Sequence, residues 1–153
     1  MIHGEHTRIW LCGKRVPGPD PQAALDRVSG DVSILCLCQP HEIDERYPEY
    51  LAWLEANADD RALWHPVPDL SAPPIEKAQT IASSLNAELD AGRSVIVHCG
   101  AGMGRAPTIA ICALLARGHA LDTVLAAVAD SRPMAGPETG SQRDLVESLG
   151  AAS

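Results

Sequence analysis

The chain has 153 residues, 46% of them hydrophobic, which is enough apolar material for one domain with a sizeable core over residues 1–153. Its 20 acidic residues outnumber its 12 lysines and arginines and give a net charge of −8, which argues against a nucleic-acid partner because affinity for that backbone comes from clustered basic residues. No segment has the length of a membrane span and residues 1–6 lack the regions of a signal peptide, so we expect a cytoplasmic protein with no membrane partner.

The first part of the chain alternates predicted strands with predicted helices. The hydrophobic pattern predicts strands over residues 7–12, 32–38 and 61–65. It predicts helices over residues 21–28, 47–58 and 74–91, the first beginning after the capping residue Asp20 and the last ended by Gly92. Trp10 and Trp53 are predicted to be core residues.

The second part begins with a β-branched run, Ser94 to Val97, which predicts another buried strand. A loop of small residues follows, and helices are then predicted over residues 106–117, 120–131 and 138–149. This alternation predicts an α/β fold with a parallel-centred sheet covered by helices on both faces. We expect the functional site at the carboxyl end of a strand, where the small-residue loop lies.

That loop has the composition of a phosphate pocket built around a cysteine nucleophile. Its glycines let consecutive backbone amides turn inward around an anion, and the helix that follows adds its positive N-terminal end. These groups favour the thiolate form of Cys99, while Arg105 offers a planar fork to two phosphoryl oxygens. The predicted phosphate-binding residues are Gly100, Ala101, Gly102, Met103, Gly104 and Arg105.

The full string His-Cys-x-x-Gly-x-x-Arg, at residues 98–105, resembles the signature of the cysteine-dependent protein tyrosine and dual-specificity phosphatases. The resemblance implies their single-domain fold, with the phosphate loop between a central strand and a helix. It implies a phosphocysteine intermediate on Cys99 and a buried His98 that hydrogen-bonds the loop and supports the thiolate. The run from Gly102 to Pro107 looks closest to the phosphatases of regenerating liver. Most family members instead have a Ser or Thr at the position of Ala106, which assists departure of the thiolate, and its absence predicts a slow second step.

Two other segments resemble the same family. Asp69 lies in a proline-rich segment, residues 64–74, at the place of the mobile loop whose aspartate protonates the leaving oxygen, and we assign it as the general acid. Asp59 and Asp60 are weaker candidates, because acidic residues at the end of a helix usually cap it or face solvent. Gln142 matches the glutamine that orients the hydrolytic water, and an exposed helix glutamine is the alternative interpretation.

The expected function is hydrolysis of phosphomonoesters by a dual-specificity-like protein phosphatase. Its substrate would be a phosphorylated protein or a small phosphomonoester, and phosphate, sulfate or vanadate should bind the pocket. The absence of Phe, beside three Trp and two Tyr, predicts a shallow pocket, and the lack of lysines in the loop disfavours inositol phospholipids. The alternatives are a phosphatase of a small metabolite, nucleotide or lipid by the same mechanism, and a phosphate-binding module of low turnover. A rhodanese-type sulfur transferase would have no use for Asp69.

The cysteines and histidines show no recognisable metal or disulfide pattern. The five cysteines are odd in number and lack paired spacing, and the six histidines form no pair on one helical turn. The sequence therefore predicts no metal and no cofactor. Cys36 and Cys38 share one face of their strand. The resemblance implies that Cys38 forms a reversible disulfide with Cys99, and ordinary core thiols are the alternative.

Overall fold

The computed structural model describes residues 8–58 and 60–152, so Thr7 and Asp59 lie outside the described residues. Its four parallel strands pair in the order β1-β4-β2-β3. They are β1 (Ile9–Gly13), β2 (Val32–Cys36), β3 (Ala62–Trp64) and β4 (Ser94–Cys99). The helices of the described residues are α1 (Pro21–Asp26), α2 (Pro48–Ala56), α3 (Ile75–Asp90), α4 (Arg105–Ala116), α5 (Leu121–Ser131) and α6 (Gly140–Ala152). The predicted α/β fold with a parallel sheet is confirmed.

Local chemistry explains where several of these elements begin and end. The carboxylate of Asp20 accepts a hydrogen bond from the amide of Ala23 at 3.0 Å and caps α1, as predicted. Gly92 has a φ of +86°, a conformation that favours glycine and ends α3. The hydroxyl of Thr139 accepts from the amide of Gln142 at 3.3 Å, so α6 begins two residues later than predicted.

A short 3-10 helix, Pro40–Glu42, follows β2 and was not predicted. Three residues are too few to show a helical period. The segment nevertheless matters, because β2 lies beside β4 in the sheet. Residues that follow β2 are therefore carried to the carboxyl edge of β4, next to the loop.

Buried side chains form one core on each face of the sheet. Leu35, Val95 and Val97 pack against α3 and α4 on one face, and Ile34 and Ile96 pack against α1 and α2 on the other. All residues of α4 except the last are buried, which fixes this helix and its first turn in place.

One of the two tryptophan predictions is wrong. Trp10 is 50% exposed, because β1 is an edge strand with a partner on one side only. Trp53 is partly buried and packs against the core on the side of α1 and α2. No helix among the described residues combines the length and apolar character needed to cross a bilayer.

Candidate active site

The loop between β4 and α4 is held from outside through its carbonyl groups. The carbonyls of residues 100–104 all accept hydrogen bonds of 2.9 to 3.2 Å, from the amides of Lys14, Thr108 and Gly136 and from the guanidinium of Arg132. Within the described ranges, none of the amides of residues 100–104 donates to a protein acceptor. With the carbonyls turned outward, these amides are left to form a nest for an anion.

The end of β1 packs so closely on this loop that glycine is required. Gly102 has a φ of +79°, and a Cβ at this position would lie 2.4 Å from the carbonyl carbon of Cys12. A Cβ on Gly13 would lie 2.8 Å from the carbonyl oxygen of Gly100. A side chain at either position would displace the loop from β1.

Cys99 is the last residue of β4 and is 3% exposed. Its sulfur accepts a hydrogen bond from the amide of Ala106, in the first turn of α4, at 3.4 Å. This contact places Sγ at the positive end of a buried helix, where an anionic sulfur is stabilised.

Arg105 is buried at the start of α4, and its guanidinium is held by acceptors from two segments. Nη1 and Nη2 donate to the two carboxylate oxygens of Glu42 at 2.8 and 2.7 Å, and Nη1 also donates to the carbonyl of Val67 at 2.7 Å. Burial alone would lower the pKa of Arg105, but the hydrogen bonds and charge of Glu42 outweigh it and the net shift is upward. The buried Nε has no partner among the described residues.

Glu42, in the short 3-10 helix, contacts Arg105 directly and was not identified from the sequence. Its carboxylate also accepts from the amide of Gln39 at 2.7 Å, which completes a capping box. Burial raises the pKa of Glu42, whereas the hydrogen bonds from Arg105 and Gln39 lower it, and the net shift is downward. Glu42 stands close to Asp44 and Glu45 in the chain, and this run is typical of a solvated surface.

The structure brings Asp69 to the mouth of the site. Its carboxylate oxygen lies 3.4 Å from Nη2 of Arg105, and its side chain is 70% exposed. The next residue, Leu70, has a φ of +60°, which is unusual for a residue with a side chain. Asp60 is exposed in the turn before β3, and no contact joins it to Arg105 among the described residues.

Gln142 joins the Asp69 segment to the phosphate loop. It is 1% exposed, so the alternative of an exposed helix glutamine is wrong. Its amide nitrogen donates to the carbonyl of Ser71 at 3.2 Å, and its side-chain oxygen accepts from the amide of Glu138 at 2.8 Å. A Cβ on Gly104 would lie 3.2 Å from that oxygen. Gln142 therefore lies beside the small-residue loop between β4 and α4.

His98 precedes Cys99 on β4 and is fully buried. Nδ1 contacts the carbonyl of Cys99 at 3.3 Å, and Nε2 lies 2.5 Å from the hydroxyl of Tyr50.

Arg132 follows the last residue of α5 and holds the outer side of the loop, a role that the sequence did not predict. Its contribution depends on contacts thirty residues away in the chain, and no local pattern signals them.

Comparison with known proteins gives a family for this arrangement. Residues 28–147 match the family model described as "PTP-SAK: Swiss Army Knife protein, DSP-PTPase phosphatase domain". No curated protein sequence matches the chain.

Solved structures with a similar fold have low sequence identity. The chain is similar to Tk-PTP in its active form, with a TM-score of 0.70 and 22% identity over 100% of this chain and 96% of that one. It is similar to the human tyrosine phosphatase-like serine/threonine/tyrosine-interacting protein, with a TM-score of 0.76 and 18% identity over 97% and 95% of the two chains. It is also similar to PTPMT1 in complex with PI(5)P, with a TM-score of 0.73 and 14% identity over 98% and 94%.

Proposed function

Because the chain belongs to the Swiss Army Knife family of dual-specificity-type phosphatase domains, we propose that it hydrolyses phosphomonoesters of proteins through a phosphocysteine at Cys99. In the first step the sulfur attacks phosphorus and the bond from phosphorus to the leaving oxygen breaks. The loop amides and Arg105 hold the three non-bridging oxygens. Asp69 donates the proton that the leaving oxygen needs.

The second step returns the enzyme to its starting state. A water molecule attacks the phosphocysteine, the bond between phosphorus and sulfur breaks, and phosphate is released. Asp69, now deprotonated, takes the proton from that water. Gln142 supports this assignment because it lies between the Asp69 segment and Gly104, where it can orient the water.

The observation that carries the proposal is the edge of the Arg105 guanidinium that Glu42 does not occupy. Glu42 binds the edge formed by Nη1 and Nη2, whereas on the edge formed by Nε and Nη2 the exposed carboxylate of Asp69 reaches Nη2 at 3.4 Å and Nε stays unpaired among the described residues. A buried N–H without an acceptor costs about 1–3 kcal/mol, and Nε has none among the described residues. An anion with two oxygens at suitable spacing satisfies this edge, and the loop amides supply donors for the rest of a phosphoryl group.

The proposed substrate class is inferred from the exposed residues at the rim of the site. Asp69 is exposed, and the exposed side chains of Leu70 and Glu138 lie on the segments next to the loop. This open rim supports substrates presented on a protein surface, including phosphoserine and phosphothreonine, over a deep slot for one aromatic ring. A lipid or another small phosphomonoester is the alternative substrate, and the similar fold of PTPMT1 was solved with PI(5)P.

A second candidate function is phosphate recognition with little turnover. The specific observation that favours it is Ala106, which supplies a backbone amide to the sulfur but no hydroxyl. One of the similar structures is named as phosphatase-like and as an interacting protein. The presence of Cys99, Arg105 and Asp69 together favours catalysis.

The deciding experiment measures vanadate-sensitive hydrolysis of an aryl phosphate, followed by a panel of phosphopeptides, phosphoinositides and nucleotides. We expect turnover by the parent protein and the highest kcat/KM on phosphopeptides. Cys99→Ser should abolish turnover and keep vanadate binding, because the loop amides and Arg105 are unchanged. Vanadate binding without turnover in the parent would establish the recognition function, and activity in Cys99→Ser would exclude Cys99 as the nucleophile.

A further inference from the structure

Behind the phosphate loop lies a group of side chains that the proposed reaction does not use as nucleophiles or acids. Cys36 ends β2, Cys38 follows it on the same face, and His98 comes from the neighbouring strand β4. All three are fully buried, and their potential ligand atoms lie within 4.8 Å of one another. Sequence spacing did not reveal the group, because sixty residues separate Cys38 from His98.

The hydrogen bonds of His98 determine which of its two ring nitrogens carries the lone pair. A backbone carbonyl can only accept, so the contact of 3.3 Å between Nδ1 and the carbonyl of Cys99 requires the proton to be on Nδ1. In the neutral ring Nε2 then carries the lone pair, and it accepts a hydrogen bond from the hydroxyl of Tyr50 at 2.5 Å. Metal-bound histidines are held in this way, with the other ring nitrogen donating to a carbonyl or carboxylate.

We propose that Cys36, Cys38 and His98 form a binding site for a thiophilic divalent cation, best matched by Zn²⁺. Two thiolates and a neutral imidazole balance the charge of a divalent ion, which matters where no ligand reaches solvent. None of the three is a carboxylate, so Mg²⁺ and Ca²⁺ are poor matches.

The geometry of the group is compatible with such an ion. Zinc–sulfur bonds of about 2.3 Å at tetrahedral angles place two sulfurs about 3.8 Å apart, inside the separation that the structure allows. The hydroxyl of Tyr50 donates to Nε2 at 2.5 Å, closer than two ligand atoms of one zinc ion lie, so this hydroxyl must turn away from Nε2 when the ion binds. An ion bound here would be linked to the nucleophile through His98 and the carbonyl of Cys99.

The test uses reduced Cys99→Ser protein, so that the ion cannot bind the nucleophile and no result depends on phosphatase activity. Cobalt(II) is titrated as the probe, followed by zinc. We expect one cobalt ion per chain, with the visible bands of tetrahedral thiolate coordination, and displacement by zinc. Adding Cys36→Ser or Cys38→Ser should weaken binding at least about tenfold. Cys112→Ser removes a buried thiol of α4 outside the group and should leave binding unchanged.

Three results would overturn the proposal. The first is a folded Cys99→Ser protein that gives no cobalt–thiolate bands, the second is equal binding after substitution of Cys36 or Cys38, and the third comes from X-ray absorption. Circular dichroism and urea unfolding identify any variant that fails to fold. X-ray absorption of the zinc-loaded Cys99→Ser protein does not depend on the Cys36 and Cys38 variants. The spectrum must show two sulfur atoms bound to zinc, and a spectrum without bound sulfur would refute the site.

Discussion

Glu42 holds Nη1 and Nη2 of Arg105 at 2.8 and 2.7 Å, and so determines which edge of the guanidinium faces the substrate. The two residues are 63 positions apart, and each is fixed by its own element, Arg105 by the buried helix α4 and Glu42 by the capping box of the 3-10 helix. The other edge of Arg105 is thus oriented before substrate arrives. Such preorganisation reduces the cost of ordering the site at each turnover.

Glu42→Gln should lower kcat/KM on an aryl phosphate by about tenfold or more and weaken vanadate binding. The amide keeps an oxygen but loses the charge and one of the two acceptors, so the guanidinium is held less firmly. Steady-state kinetics and vanadate inhibition measure both effects. Glu45→Gln, which removes an exposed carboxylate three residues away, is the control and should match the parent. Equal kinetics for the two variants would show that Glu42 does not position Arg105.

The same pair predicts a pH dependence of stability. The pKa of Glu42 in the folded state is below its ordinary value, because the hydrogen bonds from Arg105 and Gln39 outweigh the opposing effect of burial. A carboxyl with a depressed pKa stabilises the folded state fully above its unfolded pKa, and this stability is lost as the pH falls through the folded pKa. In urea unfolding at several pH values, the advantage of the parent over Glu42→Gln should be largest near neutrality and shrink in acid. A difference independent of pH would contradict this.

Arg105→Lys should lower kcat/KM by about a hundredfold or more. An ammonium cannot bind Glu42 and two phosphoryl oxygens at once through fixed edges. Kinetics on the aryl phosphate measure the loss, and urea unfolding separates it from a loss of folded protein. Activity within about threefold of the parent would remove Arg105 from the phosphate-binding role.

Asp69→Asn should lower kcat/KM, which reports the first chemical step, by about a hundredfold or more for poor leaving groups, the usual scale of general-acid catalysis. The loss should shrink as the leaving group becomes more acidic, because such an oxygen departs without a proton. A series of aryl phosphates with different leaving-group pKa values measures this dependence. Asp60→Asn, at an exposed carboxylate outside the site, should behave as the parent does. Equal losses along the series would exclude Asp69 as the acid.

The position of the small-residue loop was predictable, because its residues are consecutive and lie between a β-branched run and an apolar helix. Glu42 was not, since its position becomes meaningful only through a contact with a residue 63 positions away. For Gln142 the resemblance suggested a place near the site, but its burial depends on Ser71, 71 positions earlier. The prediction that Trp10 is a core residue was wrong for a related reason, because its exposure depends on β1 lying at the edge of the sheet.

Ala106 leads to a prediction about the order of the steps. Its backbone amide donates to Sγ of Cys99 at 3.4 Å, but it has no hydroxyl to stabilise the thiolate as it leaves phosphorus. The second step should therefore be slower than the first, so that phosphocysteine accumulates and limits kcat. Rapid mixing of the parent with an aryl phosphate should give a burst of phenol followed by slow turnover.

Ala106→Ser should reduce that burst and raise kcat on the order of tenfold, the effect of one hydrogen bond of about 1.4 kcal/mol. Ala106→Gly is the matched control, since it keeps the amide, adds no hydroxyl and should not raise kcat. A parent without a burst, and a serine variant no faster than it, would show that another group assists departure. Thr108 is then the next residue to test, because its buried hydroxyl has no partner in the described part of the chain, two residues after Ala106 on α4. In that case Thr108→Val should create the burst that the parent lacks, because dephosphorylation would then lose its remaining donor.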